Sequence, residues 1–148
     1  MKSNDHGCLS CNRRQAIKLG VAGVAALALP ACGGLANLEA PFTIQLADHP
    51  GLAMDGGVVF IPTDVAGSAH PVIVRRTGET YAAMSAECNH FGCDVELQGE
   101  KFVCPCHQSE FALDGELLMG PASEPLLPFE VSLEDEALTI APAAQGEG

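Results

Sequence analysis

Short runs of alternating apolar and polar residues follow one another from residue 42 to residue 140, and turn residues separate them. A period of two is typical of half-buried β-strands. Asp114-Gly115, between two such runs, favours a tight hairpin. The pattern predicts nine strands: Phe42–Ala47, Val58–Ile61, Val72–Arg75, Thr80–Ser85, Lys101–Cys104, Glu110–Leu113, Glu116–Leu118, Phe129–Leu133 and Ala137–Ile140. Because no long segment shows helical periodicity, we expect an all-β fold, a small antiparallel sandwich or barrel.

The first 32 residues have the pattern of a targeting segment. Arg13-Arg14 precede an apolar run from Leu19 to Ala31. A basic region followed by an apolar region is typical of an export signal. The adjacent arginines favour the twin-arginine route, which exports proteins that have already folded. We therefore expect the folded part on the periplasmic side of a bacterial cell membrane.

Three fates of this segment stay open. Leu29-Pro30-Ala31-Cys32 resembles a lipobox, in which Cys32 would be lipidated after cleavage. Leu19 to Leu38 is a run of twenty uncharged residues, just long enough for an uncut anchor helix that spans a membrane. Cleavage without lipidation would leave a soluble protein. The expected division of the chain is a targeting segment at 1–32, a flexible linker at 33–41, a folded domain at 42–141 and a disordered tail at 142–148.

Charge is distributed unevenly along the chain. Eighteen of the nineteen acidic residues lie beyond residue 32, but only three of the seven Lys and Arg residues do. A domain this acidic is not suited to binding nucleic acid. A basic protein partner is compatible with it. The folded part is small, so a cross-link or a metal would help to stabilise its core.

The candidate chemistry is concentrated between Glu87 and Phe111. Two cysteine- and histidine-rich segments, Cys88–Cys93 and Cys104–His107, place six thiol or imidazole groups within twenty residues. Both segments lie at the tips of predicted hairpins. Paired thiolates and paired imidazoles suit Zn²⁺ or an iron–sulfur centre.

These segments resemble the loops of Rieske iron–sulfur proteins, specifically the disulfide-containing kind of cytochrome bc-type complexes. The family pattern is C-x-H-x-G-C and C-x-C-H-x-S, and this chain has CNHFGC at Cys88–Cys93 and CPCHQS at Cys104–Ser109. The resemblance implies one [2Fe–2S] cluster per chain, with the two irons held by different ligand pairs. By family correspondence the ligands are Cys88 and Cys104 on one iron, and His90 and His107 on the other.

The resemblance also implies how the loops are supported. Cys93 and Cys106 would form a disulfide between the loops, and Ser109 would donate a hydrogen bond to a bridging sulfide. The segment Gly120-Pro121-Ala122 is similar to the proline loop that covers the cluster in the family. The departures from the usual residues are Asn89 for Thr, Phe91 for Leu, Gln108 for Gly and Phe111 for Tyr.

Two of these departures carry expectations. If the position after His107 requires a positive φ, Gln108 is strained there. Phe111 has no hydroxyl to donate to the cluster, so we expect a lower potential than that of the most oxidising relatives. His49 and His70, each followed by proline, are expected to be ordinary loop residues.

The resemblance implies an electron-transfer subunit. Two imidazole ligands place Rieske potentials at roughly −150 to +300 mV, and they allow an electron to be coupled to a proton. The subunit would accept single electrons from a quinol, with His107 in contact with it, and pass them to a c-type cytochrome. Its partners would be cytochrome b and the c-type cytochrome, with the N-terminus at the membrane.

Two alternatives stay open. A small Rieske subunit of an exported oxidase, of the arsenite oxidase type with a molybdenum large subunit, fits the same motif. A structural zinc site in a lipoprotein would leave Cys93, Cys106 and Ser109 without a reason. A ring-hydroxylating oxygenase is not expected, because these 148 residues leave none for a mononuclear iron domain.

Overall fold

The computed structural model describes residues 38–143. The predicted export signal, Cys32 and most of the expected linker lie outside the described residues. So do the last five residues of the expected tail.

Within residues 38–143 the chain forms twelve strands and one helix, α1, a single turn at Thr63–Ala66. The strands are β1 Phe42–Gln45, β2 Val58–Ile61, β3 Val72–Thr77, β4 Thr80–Ser85, β5 Glu87–Cys88, β6 Cys93–Asp94, β7 Glu96–Gln98, β8 Lys101–Val103, β9 Glu110–Ala112, β10 Leu117–Met119, β11 Pro128–Glu134 and β12 Ala137–Pro142. Two 3-10 turns, Leu46–Asp48 and Pro50–Leu52, follow β1. No helix within this range is long and apolar enough to cross a membrane.

All strand pairs are antiparallel, which confirms the predicted all-β fold. A six-stranded sheet has the order β1-β12-β11-β4-β3-β2, a four-stranded sheet has the order β10-β9-β8-β7, and β5 pairs with β6 alone. Each of the nine predicted strands forms close to its predicted position. The prediction missed β5, β6 and β7, which have only two or three residues each.

The hairpin of β3 and β4 separates two hydrophobic cores. Val72 and Val74 pack into a core within the six-stranded sheet, whereas Ile73, between them, packs into a second core. Successive side chains of a strand point to opposite faces, so one strand serves both cores. Met84, on the neighbouring strand, also belongs to the second core, which contains Cys88 and Cys104. The loops with the candidate ligands are therefore packed on the face of the β3–β4 hairpin that bears Ile73 and Met84.

The domain begins earlier than the sequence predicted. Leu38 was assigned to a flexible linker, but its side chain is 1% exposed and its backbone forms a β-bridge with Ser68. Burying a leucine of this kind contributes about 2 kcal/mol, which offsets part of the entropy cost of ordering the segment. At the other end, Pro142 pairs with Phe129, so β12 enters the expected tail.

Candidate metal centre

The first candidate segment, which we call loop 1, comprises Cys88–Cys93 and connects β5 to β6. Cys88 lies directly opposite Cys93 in this short ladder. The Gly92 N–H donates a hydrogen bond to the Cys88 carbonyl at 2.9 Å, and Gly92 has a φ of 72°. Glycine adopts this left-handed conformation without steric strain. The tight turn leaves Phe91 75% exposed at the tip.

The second candidate segment, loop 2, comprises Cys104–Ser109 and connects β8 to β9. The Gln108 N–H donates to the Cys104 carbonyl at 2.9 Å, and the Cys104 N–H donates to the Ser109 carbonyl at 2.8 Å. Gln108 has a φ of 62°, so the position does require the left-handed region. The expectation that Gln108 is strained is therefore confirmed, since a side chain there clashes with its own backbone.

A disulfide joins the two loops between Cys93 and Cys106, as the family resemblance implied. Cys88 and Cys104 remain free thiols and both are buried. The sulfur atoms of Cys93, Cys104 and Cys106 lie within 4.8 Å of one another. Two of these three atoms are bonded to each other in the disulfide, so they do not form a three-cysteine metal site. The disulfide instead brings the loop that holds Cys104 against the loop that holds Cys88.

The two predicted histidine ligands meet at the outer end of the loops. The His90 and His107 rings are 4.8 Å apart between centroids, with their planes at 88°. His107 is exposed and His90 is half-buried. The Nδ1 atom of His90 is buried and has no hydrogen-bond partner among residues 38–143. A buried imidazole nitrogen without a partner is costly unless a metal binds it.

The environment of Cys88 is suited to a bound metal rather than to a free thiolate. Burial raises the pKa of the Cys88 thiol above its ordinary value, and the neighbouring Cys104 thiol raises it further. A backbone hydrogen bond at His90 and the Ser109 hydroxyl act in the opposite direction. A coordinating metal removes the proton from such a thiol and compensates its charge. The residues present therefore fit an iron–sulfur group that two thiolates and two imidazoles hold.

The proline loop, Gly120–Ala122 and the residues that follow, is tied to both candidate loops. The Ser109 Oγ accepts a hydrogen bond from the Ala122 N–H at 3.1 Å. Gly120 lies against Ser109 so closely that a Cβ on it would be 2.4 Å from the Ser109 Cα. This close approach requires glycine. The Ser109 hydroxyl also hydrogen-bonds the Cys88 side chain, and its donation to a bridging sulfide stays a prediction.

Asn89 ties loop 1 to the same segment, a role that the sequence analysis missed. Its Oδ1 accepts from the Ser123 N–H at 3.2 Å, and its Nδ2 donates to the Glu124 carbonyl at 2.8 Å. The only signal in the sequence was the departure from the usual threonine. These contacts span about 35 residues of chain, so local pattern cannot reveal them.

His70 is a correction to the sequence analysis, which expected an ordinary loop residue. Its Nδ1 lies 2.6 Å from the Asp94 Oδ1, and its Nε2 lies 3.6 Å from the Glu87 Oε1. Glu87 and Asp94 are the outer residues of β5 and β6. His70 is therefore in contact with both strands that carry loop 1.

Comparisons with known proteins agree with this site. The sequence model of the Rieske [2Fe-2S] domain matches residues 52–134, more than half of the chain. The cytochrome b6-f complex iron-sulfur subunit of Chlorobaculum tepidum is 35% identical over 72 residues, which are 47% of this chain and 40% of that protein. The carotenoid phi-ring synthase of the same organism is 37% identical over 76 residues, which are 50% of this chain and 12% of that protein.

A solved structure supports the fold. The apo form of a quaternary ammonium Rieske monooxygenase matches 78% of this chain and 36% of its own, with a TM-score of 0.55 and 14% identity. Identity this low shows a shared fold alone. The chain matches about two fifths of the cytochrome b6-f subunit and a smaller part of the synthase. Since both loop motifs and all four predicted ligands lie inside the matched residues, this chain belongs to the Rieske [2Fe–2S] family, and its cofactor is a [2Fe–2S] cluster.

Proposed function

We propose that this protein is the electron-transfer subunit of a cytochrome bc-type complex, which accepts single electrons from a quinol and passes them to a c-type cytochrome. One observation carries the proposal: the two imidazoles meet at the exposed tip, while the two free thiols are buried behind them. The rate of electron transfer falls with distance. A partner that docks on the tip lies next to the two histidines, and so within a short distance of the iron that they would hold. The similarity to a cytochrome b6-f subunit supports this complex type.

In this proposal Cys88 and Cys104 hold one iron, and His90 and His107 hold the other. When bound, the cluster supplies a one-electron couple. Two neutral imidazoles leave less negative charge around it than two more thiolates would, which raises the potential to roughly −150 to +300 mV. The buried Nδ1 of His90 supports its assignment as a ligand.

His107 is the residue that we assign to the quinol, because it is the more exposed of the two histidines. A ring nitrogen that does not bind iron is free to accept a hydrogen bond from the quinol hydroxyl. It takes the proton of that hydroxyl as the electron leaves the quinol. The Phe91 ring packs edge-on against the His90 ring, with their centroids 4.5 Å apart, and its centroid lies 5.5 Å from that of the His107 ring. Its exposed ring would form an apolar rim for the quinol ring.

We further propose that the domain works outside the cytoplasm, exported by the twin-arginine route and held at the membrane by its N-terminus. The Cys93–Cys106 disulfide supports this location, because structural disulfides persist in oxidising compartments. The Arg13-Arg14 pair and the apolar run after it support the route.

The test is to purify the tagged full chain from its own host in mild detergent and to analyse the complex that accompanies it. We expect haem b and haem c in the absorption spectrum, and reduction of the Rieske signal when a quinol is added. A complex that contains molybdenum and lacks haem b would instead assign the chain to an exported oxidase. A protein that neither accepts electrons from quinols nor binds cytochromes would overturn the proposal.

A matched pair of variants tests the docking tip in the same preparation. Phe91→Ala removes the exposed ring beside the histidines and is expected to slow reduction by quinol without changing the electron paramagnetic resonance spectrum. Leu133, 48% exposed on β11 of the six-stranded sheet, provides the control Leu133→Ala, which should have no effect. Equal effects of the two substitutions would contradict docking at the tip.

A further inference from the structure

His70 lies where the six-stranded sheet meets the strands of loop 1. It precedes β3, and its carbonyl accepts a hydrogen bond from the Ser68 hydroxyl at 2.7 Å. Its side chain is 21% exposed. The Nδ1 contact with Asp94 at 2.6 Å is in the range of a strong, charge-assisted hydrogen bond. The Nε2 lies on the opposite side of the ring, 3.6 Å from Glu87.

The two carboxylates that His70 contacts are cross-strand neighbours. Glu87 pairs with Asp94 in the β5–β6 ladder, and the next pair of the ladder is Cys88 with Cys93. Like charges directly opposite each other destabilise an antiparallel pair. A ladder of two residues per strand is itself marginal in water. The hydrogen bond of His70 to Asp94 on β6 and its close approach to Glu87 on β5 place one side chain against both strands.

The backbone around His70 extends this contact to the main sheet. The Ala86 N–H donates to the Pro71 carbonyl at 2.9 Å, and the Val95 N–H donates to the Ala86 carbonyl at 2.8 Å. Through Ala86 these two hydrogen bonds connect the end of the β3–β4 ladder to the β5–β6 ladder, and the residue next to Pro71 is His70. Glu87 also reaches the turn of loop 1, because its Oε1 would lie 3.4 Å from a Cβ at Gly92.

From these contacts we propose that His70 is a positioning residue of the cluster site, which clamps Glu87 to Asp94 and so fixes the strands that carry Cys88 and the disulfide. It binds no iron itself. The clamp holds Cys88 in register with Cys104 and keeps the Cys93–Cys106 disulfide from opening. This role does not depend on which quinol or cytochrome the protein serves.

The test compares His70→Ala with His70→Gln, which keeps a donor, and with His49→Ala as a control in the loop after β1. The full chain of each variant, loaded with cluster, is treated with a small thiol reductant, and disulfide opening is followed by alkylation and mass spectrometry. We expect His70→Ala to open roughly threefold faster, since the contact is exposed to solvent and a pair of this kind stabilises modestly. His70→Gln should recover most of this loss, and His49→Ala should match the wild type.

The midpoint potential of the cluster gives a second readout. Nonspecific destabilisation of the protein would not shift this potential in one defined direction. Without His70 the Asp94 carboxylate loses a hydrogen-bond donor, so more of its negative charge acts on the cluster, the reduced state is disfavoured and the potential should fall. If His70→Ala fails to fold, Asp94→Asn removes the strong half of the clamp and should still open the disulfide faster than wild type. Wild-type opening rates and potential in a folded His70→Ala protein, or equal effects from His49→Ala, would overturn the proposal.

Discussion

Loops 1 and 2 close with the same backbone turn. In each, the fifth residue adopts the left-handed region and donates its N–H to the carbonyl of the opening cysteine at 2.9 Å. The loops differ at that fifth residue, which is Gly92 in loop 1 and Gln108 in loop 2. Loop 1 therefore has an unstrained turn, whereas loop 2 holds a side chain in a conformation that favours glycine.

The loops also differ in what supports them. Loop 1 follows strands of two residues and depends on contacts from distant segments, through His70 and Asn89. Loop 2 lies within the four-stranded sheet, where an ion pair between Lys101 and Glu110 at 2.6 Å joins its flanking strands. The same backbone turn therefore places the candidate ligands in both loops, but different contacts stabilise the turn in each loop.

The largest expected effect is the loss of the cluster when a proposed iron ligand of loop 1 is replaced. The matched comparison is replacement of the disulfide cysteine of the same loop. Cys88→Ser removes a proposed iron ligand, so the protein should lose its cluster and the associated visible absorption. Cys93→Ser removes only a disulfide partner, so the cluster should still assemble. Iron and sulfide analysis of both variants checks this, and a cluster retained in Cys88→Ser would refute the ligand assignment.

The second effect concerns the disulfide that connects the loops. A disulfide that closes a loop of this length stabilises by about 3 kcal/mol, chiefly by restricting the unfolded chain. Cys93→Ala and Cys106→Ala should each lower the free energy of unfolding by about this amount. Denaturant unfolding of both variants measures it. Because they remove the same bond, the double variant should lose little more than either single one.

The third effect tests the fifth residues directly. Gly92→Ala places a side chain at a φ of 72° and against Glu87, so it should destabilise by about 1–2 kcal/mol. Gln108→Gly relieves strain but adds freedom to the unfolded chain, so it should stabilise by about 0.5 kcal/mol. Unfolding curves of the two variants should shift in opposite directions, and shifts of the same sign would show that the two turns are not equivalent.

The fourth effect concerns the midpoint potential. Phe111 is fully buried in the core that contains Cys88 and Cys104, and Ser109, two residues before it, is fully buried with its hydroxyl against the proline loop. A hydroxyl donor favours the reduced state by ~1 kcal/mol, which is about 40 mV for a one-electron couple. Phe111→Tyr should therefore raise the potential and Ser109→Ala should lower it, by about this amount each. Protein-film voltammetry measures both, and an unchanged potential in Phe111→Tyr would mean that the ring does not face the cluster.

The sequence was sufficient where a feature is encoded locally. Alternation between turn residues predicted nine of the strands, and the resemblance to the Rieske loop motifs implied which cysteines and histidines meet. The strands β5 to β7 were not predicted: β5 and β6 have two residues each beside the cysteines of loop 1, and the three residues of β7 are all exposed and show no alternation. Leu38 escaped as well, since its burial depends on a bridge to Ser68 that only the folded chain forms.

The supporting contacts of the site were the least predictable part. His70 meets Asp94 across 24 residues of chain, and Asn89 meets Glu124 across 35. Neither residue belongs to the ligand pattern, and each role follows from how two sheets and a loop pack together. The strain at Gln108 was predictable because most relatives have glycine at this position, and the φ of 62° shows that the turn requires the left-handed region.

The central claim is that two cysteines and two histidines hold one [2Fe–2S] cluster between the two loops. Electron paramagnetic resonance of the reduced full chain, combined with iron and sulfide analysis and nitrogen hyperfine spectroscopy, tests it most directly. We predict two irons and two acid-labile sulfides per chain, the low average g value of Rieske centres, and nitrogen couplings from two imidazoles. A spectrum typical of a four-cysteine ferredoxin, coupling from a single histidine, or zinc without iron would contradict the account.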